Sequence, residues 1–151
     1  MSKIIFQLVT PERTVLNEEL DSLSCPTTLG QITILPNHIP LVASLASGEL
    51  IARNGGKEHI VHVAGGFIEV RGENQVVALA DSAEHHYEID VQKTEAAIAR
   101  AKELMQVKNI SEKEYVVAST ALNRNLSRLG VARKHAHRGG APLTSEGIFK
   151  E

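Results

Sequence analysis

Seven histidines are the residues of this sequence best suited to acid–base or metal chemistry, because imidazole titrates near neutral pH and commonly binds metals. Six of them fall into close pairs along the chain: His59 and His62, His85 and His86, and His135 and His137. The first pair is three residues apart in a predicted strand, so its side chains point to opposite faces. The other pairs have no cysteine or carboxylate at a spacing typical of metal sites. We therefore predict no metal site.

His38 is the remaining candidate for catalysis, and it stands between Pro36 and Pro40 in the stretch GQITILPNHIPLVASLASGEL. A nucleophile needs a base and a third group that orients the base, and no signature joins His38 to Cys25, the only thiol. We predict no catalytic residue and interpret the stretch as a docking edge whose prolines fix the backbone of a loop. The alternative, a small histidine-dependent hydrolase, requires His38 to carry an activity of the isolated chain.

Composition and missing motifs argue against several further classes of protein. No Walker motif occurs, and no helix follows Gly65-Gly66, so we predict that this pair forms a bulge or a close backbone approach. The single cysteine rules out an internal disulfide framework, and no apolar run approaches about 18 residues, so we expect a soluble intracellular protein. With no tryptophan, two tyrosines and three phenylalanines, the chain is not suited to binding nucleic acid by base stacking.

Charge divides the chain into two modules. Residues 1–90 contain twelve Asp and Glu against five Lys and Arg, a net charge of −7, whereas residues 91–151 contain six against eleven, a net charge of +5. These net charges of opposite sign predict two domains, which we place at residues 1–86 and 87–138. The tail that follows, residues 139–151, has no apolar periodicity, and we predict that it is disordered.

Short alternating segments in the first 80 residues predict strands. The segment KIIFQLVT alternates until Pro11, and the turns at Asn54-Gly55 and at Gly72 to Asn74 predict two hairpins. Because no segment resembles a crossover helix, we expect an antiparallel sheet. The predicted fold class is α+β, with an N-terminal antiparallel β-sandwich followed by a C-terminal antiparallel two-helix hairpin.

From Asp81 onward the apolar period changes to that of helices. Asp90 is placed to cap the first helix, and Ser111 to Glu114 form a capping box for the second. The first stripe consists of Val91, Thr94, Ile98, Ala101 and Met105, and the second of Tyr115, Ala118, Leu122, Leu126 or Asn125, Leu129 and Ala132. Alanines bury little area and Gly130 lowers helix propensity, so we expect a weakly held hairpin.

The second helix is basic, with no acidic residue between Tyr115 and Ser145. Arg124 and Arg128 are four residues apart on one face, a spacing suited to holding an anion. Two interpretations stay open. The charges form either a solvated face favoured near a helix C-terminus, or a surface for an acidic partner or a polyphosphate.

Three motifs carry a resemblance to a known family. The stretch GQITILPNHIPLVASLASGEL, the strands VHVAGGFIEV and VVALADSAE, and the helix EIDVQKTEAAIARAKEL follow one another within residues 3–134. They resemble the epsilon subunit of bacterial-type rotary ATP synthases. The resemblance implies a ten-stranded β-sandwich with a helical hairpin, in a subunit that is not catalytic and requires no cofactor. It further implies a place on the central stalk, where the chain binds the gamma subunit and the c-ring.

The same resemblance implies roles for individual residues. The loop that faces the c-ring corresponds to residues 29–40 and includes Leu29, Gly30, Gln31, His38 and Pro40. The hairpin can extend toward the catalytic alpha and beta subunits and inhibit ATP hydrolysis, and the contacts with beta correspond to Arg124, Arg128, Arg133 and Lys134. The implied location is peripheral, on the cytoplasmic face of the bacterial plasma membrane, with membrane contact only through the complex.

Some members of the family also bind ATP in the folded hairpin, through an Ile/Leu-Asp-x-x-Arg-Ala motif. Here Lys93 stands at the arginine position and Thr94 at the alanine position, so the resemblance implies weaker binding. The corresponding contact residues are Glu84, Ile89, Asp90, Lys93, Arg100, Arg124 and Arg128. An ATP-sensing module with the hairpin as its ligand site is therefore the alternative to a coupling and inhibitory subunit.

Overall fold

The computed structural model describes residues 2–136, which form two compact units that divide between His85 and His86. The first unit contains eight strands: β1 (Ile4–Val9), β2 (Thr14–Leu20), β3 (Ser22–Thr27), β4 (Gly30–Ile34), β5 (Leu41–Ser44), β6 (Gly48–Asn54), β7 (Lys57–Val70) and β8 (Gln75–His85). The second contains a 3-10 turn (His86–Glu88) and two helices, α1 (Val91–Met105) and α2 (Glu112–His135). The disorder predicted for residues 139–151 lies outside the described residues.

Strands β7 and β8 are long enough to take part in both layers of the β-sandwich. The first part of β7 pairs with β6, and the part from Phe67 to Val70 pairs with β5. The early part of β8 pairs with β1, and β7 and β8 pair with each other along most of their length. If these two strands are counted once in each layer, the eight strands make the ten that the family resemblance implies.

One strand pairing departs from the antiparallel prediction. Strands β1 and β8 run parallel, with Ile5 opposite Gln75 and Val9 opposite Leu79, while the other pairings are antiparallel. A parallel pair needs a long crossover connection, which is usually a helix. Here the crossover consists of the strands β2 to β7, which separate β1 from β8 along the chain. The prediction was wrong for this pair because it considered helical crossovers alone.

Alternation along the strands builds the core of the first unit. In β1 the side chains of Ile4, Phe6 and Leu8 are completely buried, and they pack in one cluster with residues from the other strands, such as Leu23 and Leu50. Such a cluster excludes water from the space between the layers, and the burial of this apolar area stabilises the β-sandwich.

The Gly65-Gly66 pair lies where β7 and β8 approach closely. Both glycines have positive φ, and a Cβ at Gly66 would lie 2.0 Å from the carbonyl oxygen of Leu79. The β7–β8 register continues unchanged across the pair, from Ala64 opposite Ser82 to Gly66 opposite Ala80. The close-approach alternative is therefore correct, and this pairing contains no bulge.

Both predicted helix caps are present. The carboxylate of Asp90 accepts the backbone N–H of Lys93 at 3.0 Å, and the hydroxyl of Ser111 accepts the backbone N–H of Glu114 at 3.1 Å. Residues 106–111 connect α1 to α2, and the two helices pack against each other as a hairpin. We call α1 and α2 together the helical hairpin.

The seam of the helical hairpin differs from the predicted stripes at several positions. Tyr115 and Leu126 are exposed, whereas Asn125 is buried. The side-chain N–H of Asn125 donates to the carbonyl of Ala121 at 2.8 Å, and its oxygen accepts a bond from Arg128 at 2.7 Å. An amide with both groups bonded can occupy an apolar seam at little cost, which resolves the choice between Asn125 and Leu126.

Candidate functional site

The first unit exposes an apolar surface on one layer of the β-sandwich. Phe67 is directly opposite Leu79, which is opposite Val9 on the next strand, and Ile5 and Val42 lie on the same face. Phe67 is 58% exposed and Leu79 is 55% exposed. A shallow cavity of about 410 Å³ lies beside them and reaches Pro11. We call these residues the apolar sheet face: Ile5, Val9, Val42, Phe67 and Leu79.

The apolar sheet face is not among the surfaces predicted from the sequence. A signal was available in β1, where Ile5 and Val9 are apolar on the face opposite the core residues, and in β8, where Val76, Val77 and Leu79 put apolar residues on both faces. A cluster of exposed apolar side chains on a folded domain is typical of a surface that binds another protein.

The predicted c-ring loop is two loops, because β4 occupies residues Gly30–Ile34 in its middle. Leu29 is 99% exposed at the turn before β4, where Gly30 has a φ of 119° and the N–H of Leu29 donates to the hydroxyl of Thr27. The second loop, residues 35–40, follows β4. Gln31 is therefore part of β4, whereas His38 belongs to the second loop.

His38 lies half-buried against its own loop, with Nδ1 2.7 Å from the carbonyl oxygen of Ile39. The neighbouring Asn37 has a φ of 66°, and its N–H donates to the side chain of Asn74 in the turn before β8. The apolar side chains of Leu35 and Ile39 are exposed on this loop. The loop is thus tied down by local bonds, and its outward chemistry is apolar.

The three histidines on β7 and β8 have different surroundings in the first unit. His59 on β7 is 2.9 Å from the carboxylate of Glu18 on β2, and its ring centroid is 6.3 Å from that of His85. His62 is buried and lies 3.3 Å from the hydroxyl of Ser47. Within residues 2–136, no three His, Cys, Asp or Glu side chains form a group able to hold a metal.

Cys25 does not provide a nucleophile. Its side chain is completely buried in the core of the β-sandwich. Burial raises the pKa of the Cys25 thiol to about 12, because the interior disfavours the charged thiolate. The reactive form is therefore almost absent at neutral pH.

The basic side chains of α2 do not lie on one face. Arg124 and Arg133 are nine residues apart, which places them about 180° apart around a helix of 3.6 residues per turn. Arg133 pairs with Glu95 on α1, and Arg128 donates to Asn125, whereas Arg124 and Lys134 are exposed. Arg128 and Arg133, which belong to the predicted contacts with beta, are thus engaged within the helical hairpin.

The predicted ATP contacts are spread over both units. Glu84 belongs to β8 in the first unit. In the second unit, Asp90 caps α1, and Thr94 is buried with its hydroxyl donating to the carbonyl oxygen of Asp90 at 2.7 Å. Lys93 and Arg100 are exposed on α1. The residues at the start of α1 therefore already have local structural roles.

The helical hairpin also contains a groove of about 600 Å³ near the connection between its helices. Leu104, Ile110 and Val117 are among its lining residues, together with alanines of both helices. Arg100 is the one predicted ATP contact that lines this groove. No helix within residues 2–136 is long and apolar enough to cross a membrane.

Two family models match the chain. One is described as the ATP synthase, Delta/Epsilon chain, beta-sandwich domain and covers residues 3–86; the other is described as the long alpha-helix domain of the same chain and covers residues 88–133. An ATP synthase epsilon chain of Dehalococcoides mccartyi is 41% identical over 134 residues, which cover 89% of this chain and 95% of the relative. One from Geobacter sulfurreducens is 37% identical over 138 residues, covering 90% and 98%.

Two solved structures have a similar fold. A chain in the cryo-EM structure of the Euglena gracilis mitochondrial ATP synthase, comprising OSCP, F1 and the c-ring, has a TM-score of 0.72 at 25% identity. The match covers 89% of this chain and 81% of that chain. A chain from the central stalk and c-ring of the Tetrahymena thermophila mitochondrial ATP synthase has a TM-score of 0.58 at 15% identity, over 87% and 97%, and shows the shared fold.

Proposed function

The chain belongs to the ATP synthase delta/epsilon chain family, as a non-catalytic epsilon chain, and on that premise we propose that it couples the rotor to the membrane ring and inhibits ATP hydrolysis. In this proposal the β-sandwich binds the gamma subunit and the c-ring, and the helical hairpin reaches the alpha and beta subunits. The chain is then peripheral on the cytoplasmic face of the membrane, as part of a proton-translocating complex.

The apolar sheet face is the observation that supports binding of gamma. Phe67 and Leu79 stand side by side on adjacent strands, and Val9 continues the row. Each large apolar side chain removed from water on binding contributes roughly 1.5–3 kcal/mol, so this row alone can supply much of a stable contact. The other exposed apolar residues of the first unit lie on loops, where they offer less contiguous area.

A binding measurement with purified gamma tests this proposal. We expect the double variant F67S/L79S to bind gamma at least tenfold more weakly, because the row loses its apolar side chains. The matched control is L35S, which removes an exposed leucine from the loop after β4 and leaves the apolar sheet face intact. Equal affinities for the double variant and the control would contradict the proposed contact.

The two loops around β4 are proposed to meet the polar loops of the c-ring. Gln31 is exposed, and Leu29 projects from the preceding turn. Changing Gln31 or His38 to alanine is expected to weaken proton-coupled ATP synthesis while unfolding stability stays within about 0.5 kcal/mol of the parent. A large loss of stability with normal coupling would show that these residues are structural.

Inhibition through the helical hairpin is testable by truncation. Removing the residues after Asp90 deletes α1 and α2 but keeps the whole β-sandwich. In a reconstituted complex, we expect this truncation to raise ATP hydrolysis, because the proposed contacts of Arg124, Arg128, Arg133 and Lys134 with beta are lost. A chain that ends at Ala136 is the control, since it keeps both helices. Unchanged hydrolysis after removal of the helices would contradict the inhibitory role.

We propose that ATP is a weak regulatory ligand of the helical hairpin. Lys93 and Arg100 are exposed on α1 and can meet phosphate, but lysine lacks the planar fork of arginine. The variant K93R is therefore expected to bind ATP several-fold more tightly in isothermal titration, with K102R, on the same helix, as the control. If neither the parent nor K93R binds ATP at millimolar concentration, the proposed ATP-sensing function is contradicted.

A further inference from the structure

The turn between β6 and β7 contains the one Asn-Gly pair of the sequence, Asn54-Gly55. Asn54 is the last residue of β6, and Gly55 begins the turn with a φ of 62°. Asn54 is half-buried and Gly55 is exposed, and within residues 2–136 a Cβ added at Gly55 would meet nothing within 4 Å. The space beside Gly55 is therefore open, and its backbone nitrogen directly follows a side-chain amide along the chain.

The side-chain amide of Asn54 is bound by a cation. Its oxygen accepts a hydrogen bond from the ammonium of Lys3 at 3.0 Å. A cation at this oxygen draws electrons from Cγ, and it stabilises the negative charge that develops on the oxygen when a nucleophile adds to that carbon. Lys3 is half-buried and also bonds the carboxylate of Asp21, so its ammonium is held at the turn from two sides. Lys3 thus makes the Asn54 amide more susceptible to attack.

A carboxylate is bonded to the nitrogen on the other side of the turn. The backbone N–H of Gly55 donates to the carboxylate of Asp21 at 2.5 Å. Asp21 lies between β2 and β3, and its own N–H donates to the carbonyl of Arg53 at 2.7 Å, which fixes it beside the turn. The bonds from Lys3 and from Gly55 lower the pKa of Asp21, so its carboxylate is ionised at neutral pH. A carboxylate within hydrogen-bond distance of an N–H can act as a general base toward it.

We propose that Asn54 is a site of spontaneous deamidation that Asp21 and Lys3 promote. Asp21 accepts the proton of the Gly55 nitrogen, which bonds to Cγ of Asn54 while the Lys3 ammonium stabilises the charge on Oδ1. The bond between Cγ and Nδ2 then breaks, and Nδ2 keeps the electron pair, takes the proton from Asp21 and leaves as ammonia. Water opens the resulting five-membered succinimide at either carbonyl, so the products are aspartate and isoaspartate.

Both products change the turn. Each places a second carboxylate beside Lys3, next to that of Asp21. Isoaspartate also leads the backbone through Cβ, which lengthens it by one carbon where Asn54 pairs with Lys57. Because ammonia is lost, the change is one-way, and it accumulates with the age of the protein. This inference concerns the β-sandwich alone and does not depend on the function proposed for the subunit.

Peptide mass spectrometry of the full-length chain, incubated at neutral pH, tests the proposal. We expect Asn54 to be converted several-fold faster than Asn74, which lies in the turn before β8 and precedes glutamine. The variants K3M and D21A are each expected to slow this conversion several-fold, and K3R is expected to retain most of it. The matched control is K57M, which removes an exposed lysine opposite Asn54 and should leave the rate unchanged.

Incubation in urea separates the effect of the fold from that of the sequence. The parent, K3M and D21A are expected to be converted at equal rates when unfolded, because Lys3 and Asp21 are then no longer held at the turn. Equal rates in the folded proteins would contradict the proposal, since reactivity would then belong to the Asn-Gly sequence alone. Faster conversion in folded D21A would also overturn it, by showing that Asp21 protects the Gly55 nitrogen.

Discussion

The β-sandwich and the helical hairpin of this chain are held together by side chains of different size. The first unit has one cluster in which Phe6 packs with thirteen buried leucines, isoleucines and valines. The buried residues of the two helices include three alanines and the polar residues Thr94, Asn125 and His135, and their only large aliphatic side chains are Ile98, Leu129 and Val131. Since hydrophobic stabilisation grows with the apolar area buried, we expect the β-sandwich to be the more stable unit and the helical hairpin the less stable one.

The largest expected effect comes from the core of the β-sandwich. Replacing Phe6, which is completely buried, with alanine is expected to lower the free energy of unfolding by roughly 3–5 kcal/mol. The matched control is F67A, which removes the same side chain from the apolar sheet face and should cost less than about 1 kcal/mol. Urea denaturation of both variants measures the difference. Similar losses would show that Phe67 is part of the stable body.

The next largest effect is expected where β7 approaches β8 closely in the β-sandwich. Adding a Cβ at Gly66 would place it 2.0 Å from a backbone oxygen, so G66A is expected to cost roughly 2–4 kcal/mol. At Gly72 a Cβ meets nothing within 4 Å, and G72A serves as the control. If thermal denaturation shows that G66A is as stable as G72A, the two strands can move apart at this position without loss of stability.

A smaller effect is expected in the helical hairpin. The variant L129A removes a buried side chain from a seam of small residues, and we expect a loss of about 2 kcal/mol in hairpin stability, the low end for a buried leucine. L126A, on the exposed side of α2, is the control and should lie within about 0.5 kcal/mol of the parent. Amide exchange resolved along the chain should show the loss in α1 and α2 alone. Equal losses of stability in L129A and L126A would contradict the placement of Leu129 in the seam and of Leu126 on the exposed side.

The smallest expected effect is a pH dependence at the surface of the first unit. The ammonium of Lys3, which bonds the carboxylate of Asp21, together with the N–H of Gly55, holds the pKa of Asp21 below its usual value. A lowered pKa in the folded state contributes stability that is present above the unfolded pKa and is lost as pH falls through the folded pKa.

The variant D21N should therefore be slightly less stable than the parent at neutral pH, and the difference should disappear in acid below the folded pKa of Asp21. The control is E12Q, which changes an exposed acid in the turn after β1. Urea midpoints measured from neutral to acidic pH provide the comparison. A D21N difference that stays constant across this range would contradict the ion-pair explanation.

Local features of the fold were predictable from the sequence, and distant pairings were not. Asp90 and Ser111 cap helices through bonds to residues three positions away, so the signal lies within one turn. The parallel pairing of β1 with β8 joins residues about 70 positions apart, such as Ile5 and Gln75, and has no local signature. The choice between Leu126 and Asn125 stayed open because adjacent helix positions both fit a 3.6-residue period.

The functional surfaces were predictable to a lesser degree. The apolar sheet face escaped prediction because its exposed residues, such as Phe67 and Leu79, are of the same types as the core residues. The stretch around His38 was recognised as one docking element, but its two loops are separated by β4. A single sequence shows which residues are apolar or basic, whereas the side of the sheet on which they lie depends on the register of distant strands.

The passage of β7 and β8 from one layer to the other has a mechanical consequence. A force that pushes the two layers of a sandwich past each other is normally resisted by side-chain packing alone. Here the backbone of β7 continues from its pairing with β6 to its pairing with β5. Covalent bonds therefore connect the two layers and oppose their sliding past each other. We therefore expect the β-sandwich to be stiff in shear, a property that suits the proposed coupling of the rotor to the membrane ring.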